Sequence, residues 1–224
     1  MRSELQPALA IHRHAPLKRG STAPLNGPTE RAVARWTLKH LRTLRHELHV
    51  LALADALFTL LRPVHGLGAS GRRLLRLAAL VHDVGRGIDD KRHPQIGARL
   101  LRMDRSAPLS ASQRRRLAYL TRYHRGAVPQ AGYDDILRPD DPHRELRTIL
   151  AILRAADALD GRQHHPPIIQ LKLRDQRRLK VRVDLIDDTR RARRFFSRRK
   201  KFRMLADVLG LEIATTLRSA TVPA

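Results

Sequence analysis

Five helical segments of the sequence carry a histidine or an aspartate on a face that is otherwise apolar. In each segment apolar residues recur at steps of three and four, as on one side of an α-helix. His46, for example, falls in line with Val50, Leu53 and Leu57. The polar set comprises His46, His82, His93, His124 and Asp157, and Asp83 directly follows His82. Because a buried polar group needs a partner that offsets its lost hydration, we expect a helical fold in which these residues meet.

A shared metal ion is the partner that accounts for the whole set. One histidine on an apolar face is most often a satisfied core residue, and Asp157 alone could bond a neighbouring helix end. The chain has no cysteine, so the available ligands are His, Asp and Glu, which suit Zn, Mn, Fe, Ni or Mg. Packed helices can bring such ligands together. We predict one divalent ion on His46, His82, Asp83 and Asp157, and a possible second on His93 and His124.

This ligand set indicates chemistry on a phosphate ester or phosphoanhydride. A divalent ion polarises a phosphoryl oxygen and lowers the pKa of bound water towards about 7, and Asp83 bridging two ions would strengthen both effects. Asp83 and His82 are therefore the predicted catalytic residues. The predicted substrate is a phosphate-containing small molecule or polyphosphate. Cations near the ligands in sequence are the candidates for holding its oxygens: Arg86, Lys91, Arg92, Arg122 and Arg125.

The chain is strongly basic, with 45 Lys and Arg residues against 21 Asp and Glu and a formal net charge of +24. Either a polyanionic partner or an arginine-biased composition spread over solvated helix faces explains this charge, and both stay open. Aromatic residues are only 4% of the chain, which argues against sequence-specific nucleic-acid recognition by stacking. With no recognisable export signal or long uncharged apolar run, we predict a cytoplasmic protein without membrane contact. A homodimer is also compatible with the sequence.

The sequence predicts a mainly α fold in three stretches. Residues 1–27 show no hydrophobic period and are predicted to be a flexible tail outside the fold. Residues 28–162 are predicted to form a helical domain. It begins with one helix, or two meeting near His46, ended by Pro63 and the loop of residues 66–71. Ser70 is expected to cap the next helix. Three further helices are predicted at about 93–104, 111–124 and 142–160, the second opened by a capping box of Ser110 and Gln113.

Residues 163–224 are predicted to form a β-hairpin and a final helix packed on the same domain. The segments IIQLKL and LKVRVDL alternate with period two around a polar turn. Asp188 or Thr189 is expected to cap one last helix running to Gly210. The apolar tail LEIATTL is a candidate third strand.

The ordered series of His46, the His82-Asp83 pair and Asp157 resembles the HD superfamily of metal-dependent phosphohydrolases over about residues 43–160. Within it, the sequence resembles the C-terminal HD region of the Ppx/GppA exopolyphosphatase and guanosine pentaphosphate phosphatase family. The segments that carry the likeness are RHELHVLALADALF, LLRLAALVHDVGRGI, LTRYHRGAVP, LAILRAADALDGRQH and KKFRMLADVLGLEI.

The resemblance implies an HD-domain helical bundle in which the same four residues hold the first metal. His93 and His124 fall where two-metal HD enzymes carry additional histidines, although HPQIGARLL departs from the family pattern after His93. The family cleaves polyphosphate in N-terminal actin-like domains, for which this chain has no room. In many family members this region provides dimer contacts and a basic polyphosphate channel, so the resemblance also implies a homodimer. A non-catalytic polyanion-binding or regulatory module is therefore the alternative to a phosphohydrolase.

Overall fold

The computed structural model describes residues 14–17, 23–130, 133–162, 166–197 and 199–220. The fold is mainly α, as predicted, with eight α-helices and one four-stranded sheet among these residues. The helices are α1 Gly27–His40, α2 Arg45–His65, α3 Ala69–Val81, α4 His93–Met103, α5 Ala111–Tyr123, α6 His143–Asp160, α7 Arg190–Phe196 and α8 Arg203–Leu209. The strands are β1 His14–Leu17, β2 Ile168–Arg174, β3 Arg178–Leu185 and β4 Glu212–Ser219.

Two helices, α1 and α2, form the predicted opening of the helical region, with a break just before His46. The predicted end comprised Pro63 and the loop of residues 66–71; the loop is confirmed as the end of the helix, but Pro63 does not end it, because Pro63 lies inside α2. Its fixed φ is compatible with a helix and it loses only the bond of its own nitrogen, so the chain continues for another two residues. The helix ends at Gly66, which has φ +67° and donates its N–H to the Arg62 carbonyl at 2.9 Å.

α2 is long and apolar enough to cross a membrane by length and composition. Its side chains Leu53, Leu57 and Leu61 are fully buried within the protein. A core helix of this kind passes the same test of length and composition. The absence of membrane contact therefore stays a prediction.

The short turn after α3 places the His82-Asp83 pair in the core. α3 begins after Gly68, so Ser70 lies inside the helix and the predicted Ser70 cap is wrong. Val84–Gly87 form a 3-10 turn directly after Asp83. A Cβ at Gly85 would collide with the backbone of His93 and Gly97, so only glycine allows α4 to approach this closely. Asp83 and His93 are thereby brought side by side.

The sheet has the order β1-β2-β3-β4, with β3 and β4 parallel and the other pairs antiparallel. The predicted hairpin is confirmed as β2 and β3, and the predicted third strand as β4. The assignment of residues 1–27 to a tail outside the fold is wrong for residues 14–17, which form β1 on β2. Pro16 is tolerated there because β1 is an edge strand. The other residues of that stretch before Ala23 lie outside the described part of the chain.

The predicted last helix, residues 190–210, is interrupted. α7 ends at Phe196, and α8 begins only at Arg203. Between them Arg199–Phe202 form a 3-10 turn, and the sequence SRRKKF places four basic residues side by side, which disfavours a continuous α-helix. The Thr189 cap of α7 is confirmed, since the Thr189 hydroxyl accepts the N–H of Ala192 at 3.1 Å.

One hydrophobic cluster joins the helical region to the sheet. It runs from Val33 of α1 through Leu150 of α6 to Val181 of β3 and Leu205 of α8. Burying these side chains removes apolar surface from water, which is the main stabilising contribution to such a fold. The site described below lies at the ends of the helices that surround this cluster.

Candidate metal centre

The structure brings all six predicted metal-site residues together. His46 lies in the first turn of α2, His93 begins α4, and Asp157 lies in the last turn of α6. His82, Asp83 and His124 lie directly after α3 and α5. All six are buried, with His82 and Asp83 completely inaccessible. Charged and imidazole groups rarely bury together without a cation or a full set of hydrogen bonds.

The first group of candidate ligands consists of His46, His82, Asp83 and Asp157. His46 Nε2 lies 3.2 Å from His82 Nε2, 3.3 Å from Asp157 Oδ1 and 3.5 Å from Asp83 Oδ2. His82 Nε2 lies 3.8 Å from the same oxygen of Asp157. Four ligand atoms on α2, α6 and the segment after α3 therefore face a common point.

The second group consists of Asp83, His93 and His124. His93 Nε2 and His124 Nε2 lie 3.0 and 3.2 Å from Asp83 Oδ1, and 3.2 Å from each other. Asp83 thus uses Oδ1 toward this group and Oδ2 toward the first group. Its single carboxylate is shared by two ligand sets, as in the predicted bridging arrangement.

The hydrogen bonds of the four histidines use Nδ1 and leave each Nε2 directed at the site. His82, His93 and His124 place Nδ1 at 2.9, 2.7 and 2.7 Å from the carbonyl oxygens of Ala79, Asp90 and Thr121. A carbonyl can only accept, so each Nδ1 carries the proton and donates. His46 Nδ1 donates likewise to the Asp160 carboxylate. This arrangement is typical of histidines that bind metal through Nε2.

Two carboxylate oxygens within the groups fit a cation better than they fit the surrounding protein. Asp83 Oδ1 and Asp157 Oδ1 are buried and accept no hydrogen bond from the described residues. A buried carboxylate oxygen without a donor is costly, and a divalent ion would satisfy it while binding the Nε2 atoms of the neighbouring imidazoles. The described residues therefore fit the divalent metal that the sequence predicts.

The pKa shifts of His46 and Asp83 also favour a cation at the site. Burial alone would lower the pKa of His46, but its contacts with Asp157 and Asp160 outweigh burial and raise the pKa to about 9. Burial would raise the pKa of Asp83, but the neighbouring His82, His124 and His93 outweigh it and hold that pKa below its usual range. Asp83 is therefore ionised, and the position beside His46 favours a positive charge.

Asp160 and His49 belong to the site although sequence reasoning missed them. The buried Asp160 carboxylate accepts the Nδ1 protons of both His46 and His49, and Oδ2 also accepts the N–H of Arg162 at 2.8 Å. The contacts with the two histidines outweigh burial and lower the pKa of Asp160. Asp160 is thus an ionised support that orients His46. The sequence does indicate both residues, because His49 and Asp160 each follow a predicted ligand by three positions and so lie on the same face of its helix.

Arg162 and Glu47 were also missed. Arg162 has a left-handed backbone with φ 52°. Its guanidinium group contacts Asp83 Oδ2, and Nη2 lies 3.3 Å from Glu47 Oε1. Arg86 Nε donates to the same Asp83 oxygen at 2.7 Å. Two guanidinium groups therefore reach the bridging carboxylate on the side of the first group.

A cavity of about 430 Å³ opens beside His124 and Asp157. The cations on its wall are Arg86, Arg125, Arg154, Arg162 and Lys200. Two predicted phosphate-binding residues, Arg86 and Arg125, thus lie on the cavity, and Arg125 Nη2 is 3.5 Å from Asp157 Oδ2.

The other three predicted phosphate-binding residues do not line this cavity. Lys91 is exposed, and Arg92 pairs with Asp89 at 3.0 Å. The guanidinium of Arg122 lies over the Tyr123 ring, 5.2 Å from its centroid. Proximity in sequence to a ligand therefore did not place these cations at the site, because each lies on a helix or turn whose outer side faces solvent.

Comparison with family models places both ligand groups within a known family. A family model described as Ppx/GppA phosphatase, domain III, covers residues 30–191, which is more than half of the chain. No curated protein matches the sequence. The matched range contains both ligand groups, Asp160 and Arg162.

Proposed function

Because the chain belongs to the Ppx/GppA phosphatase domain III family, we propose that it is a metal-dependent phosphohydrolase of the HD type. Its substrate would be a phosphate ester or phosphoanhydride, such as a nucleotide, an alarmone or a polyphosphate-like molecule. The observation that carries this proposal is the sharing of the Asp83 carboxylate by two buried ligand groups. Among the residues that the structure describes, none donates a hydrogen bond to Asp83 Oδ1, and a purely structural polar cluster would have no physical reason to leave that oxygen so.

The first group would hold one divalent ion through His46, His82, Asp83 and Asp157, and the second group would hold another through Asp83, His93 and His124. Mn, Mg, Fe, Ni and Zn all accept such ligands. When bound, the metal supplies Lewis-acid polarisation of a phosphoryl oxygen and lowers the pKa of a bound water towards about 7. Asp83 would serve both positions, and His82 would hold the first ion.

The residues around the cavity would bind and orient the substrate. Arg86, Arg125 and Arg162 offer guanidinium groups that can form paired hydrogen bonds with phosphate oxygens. Arg154 Nη1 is held by the carbonyls of Tyr123 and Gly126 at 3.1 and 3.0 Å, which fixes its charge on the cavity wall. Substrate phosphate bound there would lie beside Asp157 and His124, next to both ligand groups.

The test combines metal analysis with a general activity screen. Purified wild-type protein and Asp83→Ala are analysed for bound metals, then assayed on phosphomonoesters, phosphodiesters and phosphoanhydrides with added Mn, Mg, Ni or Fe. We expect metal-dependent turnover in the wild type, and loss of metal and turnover in the variant. Asp55→Asn is the control, because Asp55 lies on α2 but pairs with Arg72 at the surface, and it should keep both properties.

Wild-type protein without metal and without turnover would contradict the proposal. In that case a second function is favoured by the cavity itself, whose cations are Arg86, Arg125, Arg154, Arg162 and Lys200. The chain would then act as a polyphosphate- or polyanion-binding or regulatory module. Such binding would survive Asp83→Ala and weaken steeply with salt, since it would rest on charge alone.

A further inference from the structure

One part of the cavity wall beside Asp157 is apolar. Ala158 lies in the last turn of α6, Gly161 lies at its end, and the Phe195 ring of α7 lies against Gly161. The rest of the wall consists of His124, Asp157 and the five cations named above. The cavity therefore has a charged part beside the two ligand groups and an apolar part next to it.

Glycine at position 161 allows the Phe195 ring to reach this wall. Gly161 has φ +57°, and a Cβ there would collide with one edge of the Phe195 ring. Any other residue would therefore be strained and would push the ring away. On another side the ring meets Phe196, which is buried in the core, with centroids 4.9 Å apart and the ring planes almost perpendicular. Phe195 is thus held in place from two sides.

Core packing explains the position of Phe195 only in part. Two consecutive residues of an α-helix point about 100° apart, so Phe196 fills the core while Phe195 stays half-buried on the cavity wall. The other residues of α7 outside the core are arginines, as expected on a solvated face. A large aromatic ring exposed beside a cluster of cations therefore indicates a ligand that contacts both.

We propose that Phe195 is a specificity-determining residue that stacks on the base of a nucleoside phosphate, and that the cavity takes this class of substrate in preference to an inorganic phosphate chain. Nucleic-acid bases of every kind stack on aromatic side chains. An inorganic phosphate chain carries charge along its whole length, so it would lose hydration against the apolar wall and gain no partner there. This substrate class belongs to the phosphohydrolase proposed above and therefore rests on that function.

The size and layout of the cavity agree with a nucleoside phosphate. Its volume of about 430 Å³ lies in the range of pockets that hold organic ligands, and it exceeds what a single phosphate group needs. Asp157 lies between the two parts of the wall. Arg125 Nη2 is 3.5 Å from Asp157 Oδ2, and Gly161 donates its N–H to the Asp157 carbonyl at 3.0 Å. A phosphate held by Arg125 and a base on Phe195 would therefore be neighbours, as they are in a nucleotide.

The test compares two ligands with the same number of phosphates. Adenosine triphosphate and inorganic tripolyphosphate are titrated calorimetrically into the full chain, in buffer freed of metal ions. Phe195→Leu removes the ring and keeps an apolar side chain. We expect it to weaken the affinity for adenosine triphosphate by about tenfold, since stacking on one base contributes about that factor, and to leave the affinity for tripolyphosphate unchanged. Phe195→Tyr keeps a ring and should restore the affinity for adenosine triphosphate.

The matched control is Phe58→Leu, which makes the same change at a buried ring outside the cavity. Phe58 lies on α2 and packs against His65, with ring centroids 4.4 Å apart. Both affinities should stay at their wild-type values in this variant. If Phe195→Leu weakens the affinity for both ligands equally, or for neither, the proposal is overturned. Equal weakening would mean that the ring only shapes the cavity, and no weakening would mean that the base does not touch it.

Turnover measurements keep this proposal distinct from the proposed function. Where the wild type shows metal-dependent turnover, Phe195→Leu should raise KM for nucleoside phosphates and leave kcat unchanged. Turnover with an unaltered KM in this variant would overturn the role of Phe195 alone. A wild type without metal and turnover would contradict the phosphohydrolase, whereas a selective loss of adenosine triphosphate binding in Phe195→Leu would still support stacking on Phe195.

Discussion

The two oxygens of Asp83 lie in different environments although they belong to one carboxylate. Oδ1 faces His93 and His124 at 3.0 and 3.2 Å and accepts no hydrogen bond within the described part of the chain. Oδ2 faces the first group and is contacted by the guanidinium groups of Arg86 and Arg162. The second group thus presents an oxygen without a donor, whereas the first group presents one that already has two cationic partners.

The groups also differ in how their histidines are supported. His46 of the first group donates Nδ1–H to the ionised Asp160, whereas His93 and His124 donate to backbone carbonyls. A carboxylate partner makes an imidazole a stronger ligand than a carbonyl does. The first group therefore has more ligands and stronger support but competes with two arginines. We expect the two positions to bind metal in two separate steps.

The largest expected effect comes from Asp83→Ala, which removes the ligand that both groups share. Both metal-binding steps should be lost, and metal-dependent turnover should fall by about 10³-fold or more, because a metal supplies several kcal/mol of charge stabilisation. Calorimetric titration with Mn²⁺ and a turnover assay measure this. Loss of only one step would show that Asp83 does not join the groups.

Removing one histidine from each group should separate the steps. His46→Ala should lower the metal affinity of the first group only, and His124→Ala that of the second group only. Each affinity should fall by more than about 100-fold, since losing a direct ligand costs more affinity than losing a residue that orients a ligand. Co²⁺ titration followed by visible absorption resolves the two positions. His65→Ala is the control, because His65 lies at the other end of α2 and bonds the Phe58 carbonyl. Equal weakening of both steps by either variant would contradict two distinct groups.

Asp160→Asn should lower the metal affinity of the first group by about 10- to 100-fold and leave that of the second group unchanged, because a carboxamide cannot support His46 as a carboxylate does. The matched control is Asp141→Asn, which alters an equally buried carboxylate that pairs with Arg115 and Arg116. The same Co²⁺ titration reads out both variants. If the two variants behave alike, Asp160 has no particular connection to the metal site.

The smallest expected effect comes from Arg162→Gln. Removing a positive charge that contacts Asp83 Oδ2 should raise the metal affinity of the first group. The gain should be only a few-fold, since Arg162 is partly exposed and solvent screens its charge. The same variant should raise KM for a phosphate substrate. Weaker metal binding in this variant would mean that Arg162 supports the site and does not compete with the metal.

The helical pattern predicted the ligands because the same periodicity fixes both the helix and the face on which each ligand lies. His46, His93 and Asp157 could be recognised as polar residues on apolar faces, and their burial confirms that reasoning. The supports His49 and Asp160 lie one helical turn from these ligands, so attention to the same face would have identified them. Their pairing still requires knowing that α2 and α6 lie side by side.

Arg162 could not be predicted in the same way. Its position depends on a left-handed backbone at the end of α6, and 45 Lys and Arg residues make any one of them unremarkable in the sequence. β1 was missed for a related reason, because a four-residue edge strand shows almost no period of its own and depends on β2 for pairing. Features that depend on a partner distant in sequence leave little local signal.

Anomalous X-ray diffraction from crystals grown with Mn²⁺ would show whether Asp83 joins two metal positions, because it locates metal ions without assuming any activity. We expect two peaks on opposite sides of the Asp83 carboxylate, one beside His46, His82 and Asp157 and the other beside His93 and His124. No peak within reach of Asp83, or a single peak that contacts neither set of histidines, would contradict this expectation.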